Sequence, residues 1–254
     1  MYELQKKHVN YVLEVVVAIG YILFFCLLII VSSMFYQLNS VHIPVINPLV
    51  TSLPPATPTP HISLSSIASV PKIFEDDFSY DQNQWGYGDG TSYHDIKNGK
   101  LIVESLKQGN YAIAACKLCP FLSEPYYLEA DLSTDMATDE DFGIVFNHFY
   151  SDDNFYLFQI NVESKKYYLY HHTSSGTWSL VMARESEQIK SFPASNTLGI
   201  YANVNSAEFY INGKIVDSYE ESDNSFSNGY FGFYTNDSGF KLAVDNLTIY
   251  KAAR

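Results

Sequence analysis

The segment Lys72–Arg254 predicts an all-β domain, an antiparallel sandwich. Three observations carry this. Thirteen short segments of alternating apolar and polar residues recur every eight to twelve positions, with no amphipathic helix between them. Asn98-Gly99 and Asn212-Gly213 fall between such segments, and Asn-Gly suits a two-residue hairpin because both turn positions need positive φ. Aromatic residues make up 16% of the chain, with 21 Tyr, and large flat rings pack well on a pleated, half-buried surface. One transmembrane helix and a Pro-rich linker are expected before the sandwich.

The chain opens with a short tail, residues 1–10, and then an apolar run. From Val15 to Phe35 there are twenty-one residues without a charge, and a helix of about 20 such residues crosses a bilayer. In lipid every backbone group must be satisfied within the segment, so a helix is expected despite the β-branched residues. The span is set at residues 11–36, with Tyr11 and Tyr36 at the two interfaces. Its length exceeds the about 7–15 apolar residues of a cleaved signal, although cleavage after Ser33 is the alternative. Lys6 and Lys7 precede the run, and no Lys or Arg follows until Lys72. By the positive-inside rule the N-terminus is cytoplasmic and the C-terminal domain extracellular. The expected location is therefore the cell membrane, single-pass, with lipid as the partner of the N-terminal helix.

Residues 37–71 form the next unit. Val41–Pro71 holds seven prolines among Ser and Thr, with no Asp, Glu, Lys or Arg. Such a stretch cannot bury a core, and its prolines keep it extended as a stalk.

The sandwich, residues 72–254, contains all but four of the charged residues. The formal net charge of −13 belongs to it entirely, because Glu3 and Glu14 balance Lys6 and Lys7. That excess excludes the phosphate backbone of nucleic acid as a partner. The expected strands are Ile73–Phe78, Lys100–Ser105, Tyr111–Cys116, Tyr127–Ser133, Phe142–Phe149, Phe155–Asn161 and Lys166–His172. They continue with Trp178–Met182, Leu198–Asn203, Ala207–Ile211, Lys214–Tyr219, Tyr230–Thr235 and Phe240–Tyr250. Cys116 and Cys119 have no second pair to complete a zinc ribbon, so a local disulfide or two free thiols are expected.

Turn positions then set registers. A turn at Asn212-Gly213 pairs Ile211 with Lys214 and Phe209 with Val216. A turn at Glu163-Ser164 pairs Ile160 with Tyr167, Phe158 with Leu169 and Tyr156 with His171. A turn centred on Asp152-Asp153 pairs His148 with Leu157 and Phe146 with Gln159. One face then carries His148, Gln159, Tyr168, Tyr170 and His172. The other carries Val145, Phe158, Ile160 and Leu169 and is the buried one. A face of Tyr, His and Gln suits a sugar, which stacks on rings and hydrogen-bonds to polar tips. It equally suits a face that meets only water.

Several strings carry a resemblance. Phe74–Ser79 (FEDDFS), Trp85, Asn98–Val103 (NGKLIV), Asp141–Ile160, Asn228–Asn236 (NGYFGFYTN) and Val244–Tyr250 (VDNLTIY) resemble concanavalin A-like jelly-roll sandwiches. The likeness is nearest to laminin-G-like and 3-keto-disaccharide-hydrolase-like domains of bacterial surfaces. It implies a module that binds carbohydrate or another cell-surface polymer. The alternatives are an enzyme acting on 3-keto-glycosides, with His148 and His172 as acid/base candidates, and an adhesive ectodomain without a small ligand. In the related family-sixteen glycoside hydrolases a structural calcium sits on the convex side, and the matching positions are Asp77, Gly99 and Asp245. Those hydrolases also carry Glu-x-Asp-x-x-Glu on one strand. Here the nearest string runs from Glu129 through Asp131 to Thr134, so the second Glu is missing and no catalytic residue is assigned.

Overall fold

The computed structural model describes residues 70–252, apart from 86, 87, 89, 117, 150, 152 and 222–225. The expected tail, the membrane span and all but the last two residues of the linker lie outside these, as does Asp152 of the expected turn.

The described residues form two antiparallel sheets. In chain order the strands are β1 (Lys72–Asp76), β2 (Ser92–Ile96), β3 (Leu101–Ser105), β4 (Tyr111–Ala115), β5 (Tyr126–Thr134), β6 (Phe142–Phe149) and β7 (Asn154–Asn161). Then come β8 (Lys166–His172), β9 (Trp178–Glu185), β10 (Asn196–Ala202), β11 (Ser206–Ile211), β12 (Lys214–Glu220), β13 (Tyr230–Asn236) and β14 (Leu242–Lys251). An eight-stranded sheet runs β12-β11-β10-β5-β14-β3-β2, with β1 also on β14, and a six-stranded sheet runs β4-β13-β6-β7-β8-β9. The last strand lies at the middle of the larger sheet, paired with β1, β3 and β5.

The main core fills the space between the sheets. Leu128, Leu132, Ile200, Phe209, Val244 and Ile249 from the larger sheet meet Phe142, Ile144, Phe158, Ile160, Leu169 and Phe233 from the smaller. Each such side chain contributes about 1.5–3 kcal/mol on full burial. Trp85 joins this core from a loop, and its indole Nε1 donates to Asp76 at 2.8 Å. The same buried carboxylate accepts from Asn83 Nδ2 at 2.7 Å and from the Phe78 backbone N–H at 2.8 Å. That last bond folds the chain back on itself, and Phe78 takes φ 52°, so β1 ends at Asp76 rather than at Phe78. Cys116 and Cys119 are joined in a disulfide with Cα atoms 5.4 Å apart.

Both Asn-Gly turns form as expected. Asn98 and Gly99 have φ 53° and 69°, Asn212 and Gly213 φ 50° and 77°. The first turn joins β3 to β2, a strand the sequence reading passed over because SYHDI is polar and flanked by glycines. The second pairs Ile211 with Lys214, but Phe209 lies opposite Asp217 and not Val216. A bulge at Val216 inserts one residue, which keeps Phe209 in the core and sets Tyr210 beside Ile215 on the outer face.

The β7–β8 register is the expected one throughout, from Phe155–His172 to Asn161–Lys166. The β6–β7 register differs. Phe146 pairs with Tyr156 and Val145 with Leu157, so Val145 points outward and Phe146 into the core. The expected pairs His148–Leu157 and Phe146–Gln159 do not form. Phe146 lies three residues from its expected partner, and any odd shift exchanges the two faces of a strand. A bulge at Asn147, φ 52°, then adds a residue and returns His148 to the outward face.

Candidate functional site

The outward face of the six-stranded sheet has its own apolar layer. Val145, Phe155, Leu157 and Tyr234 are buried there, with Ile113, Tyr170 and Trp178 packed against them. Trp178 is at the centre. Its ring meets His172 at 4.7 Å, Phe155 at 5.4 Å, Tyr111 at 5.6 Å, and Tyr170 and Tyr234 at 6.1 Å. Tyr111 in turn stacks on Tyr234 at 5.6 Å. Trp178 and Tyr111 come from β9 and β4, the two edges of the sheet. Five strand spacings would separate those edges by about 24 Å in a flat sheet. Contact between the two rings therefore requires a concave face.

The five residues expected on this face, His148, Gln159, Tyr168, Tyr170 and His172, are all on it. They are not equally presented. Tyr168 and Tyr170, 6.1 Å apart, are partly exposed. His148, Gln159 and His172 are 5%, 4% and 4% exposed. The two imidazoles sandwich Phe155, with centroids 5.3 and 4.8 Å from it. Asp153 lies between them, its carboxylate 3.7 Å from His148 Nε2 and 3.8 Å from His172 Nδ1. His172 Nδ1 is also 2.7 Å from the Asp153 carbonyl, so that nitrogen carries the proton.

The polar end of the face centres on Asp141. Gln159 Nε2 donates to its Oδ2 at 2.7 Å and Asn161 Nδ2 to its Oδ1 at 2.9 Å. Burial pushes the Asp141 carboxyl above its ordinary pKa, Asn161 draws it back, and the Asp139 charge adds to the rise. Burial likewise raises Tyr168 and Tyr170, which feel the Asp141 charge. The face thus offers partly exposed Tyr rings beside a carboxylate held in a fixed orientation. That arrangement accepts hydrogen bonds from hydroxyl or amino groups of a ligand lying on the rings.

Sequence reasoning missed Trp178, Tyr111, Tyr234 and Asp141. A turn over Thr173–Thr177 would have set Trp178 opposite His172, as it stands in the structure. Tyr111 and Tyr234 sit on strands far apart in the chain, and the pairing that joins them has no local signal.

The remaining candidates lie elsewhere. Glu129 and Asp131 are on β5, in the other sheet. Glu129 accepts from Tyr127 Oη at 3.0 Å, and Asp131 from Thr197 Oγ1 at 2.5 Å and Asn246 Nδ2 at 3.0 Å. Asp77 closes a turn by accepting the Ser79 N–H at 3.0 Å. Asp245 faces Lys100 Nζ at 3.4 Å, and Gly99 lies in the adjoining turn. Among the described residues no group of three or more His, Cys, Asp or Glu side chains gathers as a metal cage.

No protein-family model matches the sequence, and the search of curated proteins returns no match. Solved structures do match. A Bacillus subtilis protein with a galectin-like fold aligns at TM-score 0.55 and 9% identity, over 72% of this chain and 97% of that one. The laminarinase catalytic domain of Thermotoga maritima aligns at 0.52 and 12%, over 73% and 99%. A Bacillus licheniformis β-glucanase aligns at 0.51 and 12%, over 73% and 100%. At these identities the likeness is one of fold, and the fold is the concanavalin A-like jelly-roll sandwich.

Proposed function

We propose that this protein is a membrane-anchored surface module that binds carbohydrate, or another polymer of the cell surface, on the concave face of its six-stranded sheet. The observation that carries this is the pair of partly exposed rings Tyr168 and Tyr170, set on the aromatic layer of Trp178, Tyr111 and Tyr234 beside the amide-held Asp141. Stacking rings and a fixed acceptor are the two elements of sugar recognition. Two of the similar sandwiches are, by name, a laminarinase and a β-glucanase, which is in keeping with a carbohydrate on this fold.

Binding is favoured over hydrolysis by what faces outward. The outward residues of β7, inside this sheet, are Phe155, Leu157 and Gln159, and none is a carboxylate, whereas glycoside hydrolysis uses a pair flanking the scissile bond. For an enzyme acting on 3-keto-glycosides, His148 and His172 would have to reach substrate from buried positions, His172 against the Trp178 ring. A glycan screen of the full chain tests the proposal: retention lost in Tyr170→Ala supports it, and indifference to that change overturns it. Turnover of a keto-sugar would favour the enzyme, and silence in both assays an adhesive ectodomain.

Anchoring is supported by the run Val15–Phe35 and the flanking Lys6 and Lys7. Alkaline extraction of membranes should leave the protein in the pellet. Calcium at Asp77, Gly99 and Asp245 is proposed from hard oxygen donors alone, and it would have to displace Lys100 from Asp245. A melting midpoint lowered by chelator supports that ion, and an unchanged midpoint removes it.

A further inference from the structure

Beyond Asp141, at the end of the sandwich, is a cavity of about 550 Å³. It is lined by Thr138 and Asp139 from the β5–β6 loop, Val162 and Glu163 from the β7–β8 turn, and Ser191 and Phe192 from the β9–β10 loop. That volume falls in the range of small-ligand sites. Asn161 ties it to the concave face. Its Nδ2 donates both to Asp141 Oδ1 at 2.9 Å and to the Asp139 carbonyl at 2.5 Å, and its Oδ1 accepts the Ser164 N–H at 2.8 Å. One fully engaged, buried side chain thus fixes the acceptor of the face and the wall of the cavity together.

We infer that the cavity is a second subsite of the same binding groove, taking a further neutral or amino-bearing sugar unit of an oligosaccharide whose other end lies on the tyrosine rings. The inference rests on the carbohydrate reading of the concave face. Its chemistry matches that use. The Phe192 ring is 40% exposed and free to stack, the Thr138 and Ser191 hydroxyls are at hand, and Asp139 and Glu163 supply acceptors. No Lys or Arg lines the cavity, and neither carboxylate is in an ion pair among the described residues. A uronate or sulfated sugar would be repelled there by two carboxylates with no cation paired to them, weakly because both face solvent, whereas a hydroxyl or protonated amine would not. Four residues of strand separate Tyr170 from Lys166, the partner of Asn161, or about 13 Å. A short oligosaccharide reaches from ring to cavity, and a single sugar does not.

The test uses the full chain on an array carrying neutral, amino-bearing and uronic oligosaccharides, each as a length series. Wild type should bind more tightly as length grows, and uronic series should be the weakest. Phe192→Ala should lose about tenfold on the long members and nothing on the shortest one bound, with an unchanged melting midpoint. Tyr170→Ala should weaken every length. If Phe192→Ala follows wild type at all lengths, or uronic chains bind as well as neutral ones, the subsite is wrong while the Tyr170 dependence still supports the face. If Tyr170→Ala changes nothing, or no glycan binds, the carbohydrate reading fails and the subsite with it.

Discussion

Trp178 and Tyr111 meet edge to face at 5.6 Å, although their strands are the opposite edges of the six-stranded sheet. The contact closes one end of the concave face and covers Phe155 and Leu157, which would otherwise lie bare. Tyr168 and Tyr170 stay partly open to solvent beside Asp141, and the outer side of Tyr111 is 38% exposed. The face is therefore divided, with a packed aromatic floor at the histidine end and an open, polar-rimmed surface at the other.

Tyr170→Ala removes a ring from the solvent side of the outward layer without opening the core between the sheets. Its half-buried ring represents about 1–1.5 kcal/mol of contact with a stacked sugar, or about a tenfold rise in Kd. Calorimetric titration checks this. The melting midpoint should stay within a few degrees of wild type.

Trp178→Ala should affect stability and binding together. The side chain fills the centre of the outward cluster, so its loss should cost about 2–3 kcal/mol, somewhat below the cost in a closed core. For a domain of this size that lowers the midpoint by about 4–12 °C. Trp178→Phe should restore most of the stability. Equal behaviour of the two variants would show that the ring does not fill the face.

Asp76 should be among the most sensitive positions for folding. Asp76→Ala leaves the Trp85 indole, the Asn83 amide and the Phe78 N–H without their acceptor. Buried groups left so cost about 1–3 kcal/mol each, and a total of at least about 3 kcal/mol is expected in urea unfolding. A loss under about 1 kcal/mol would contradict the account of this loop.

The Asp141 carboxyl has a pKa raised by burial, so the folded state binds more protons than the unfolded state above the ordinary value of about 3.9. Stability should therefore fall as pH climbs from that value through the raised one, and level off above it. Glu129 and Glu140 are raised too, so the informative quantity is the difference from Asp141→Asn. The variant should show a shallower fall across that window in urea titrations, and an identical slope would contradict the assignment.

Much of the sandwich is legible in the sequence because hairpins are local. The turn at 163–164 fixes seven pairs of the β7–β8 ladder, and the Asn-Gly turns form with both residues at positive φ. What fails is what a single extra residue can change. The bulges at Asn147 and Val216 are invisible to alternation, and each one exchanges faces, which is why Val145 was expected inside and lies outside. The concave face is legible only in part, for a related reason. Tyr168, Tyr170 and Gln159 follow from one hairpin. Tyr111, Tyr234 and Trp178 reach the same place only after β4, β13 and β9 take their positions in the sheet.

The central claim is that the open end of the concave face holds a sugar on Tyr170. Affinity of the full chain for the tightest glycan on an array, measured by calorimetry for wild type and Tyr170→Ala, tests it most directly. The account predicts saturable binding that weakens about tenfold in the variant while the melting midpoint holds. Equal affinity in the two proteins, or no glycan bound by either, would contradict it.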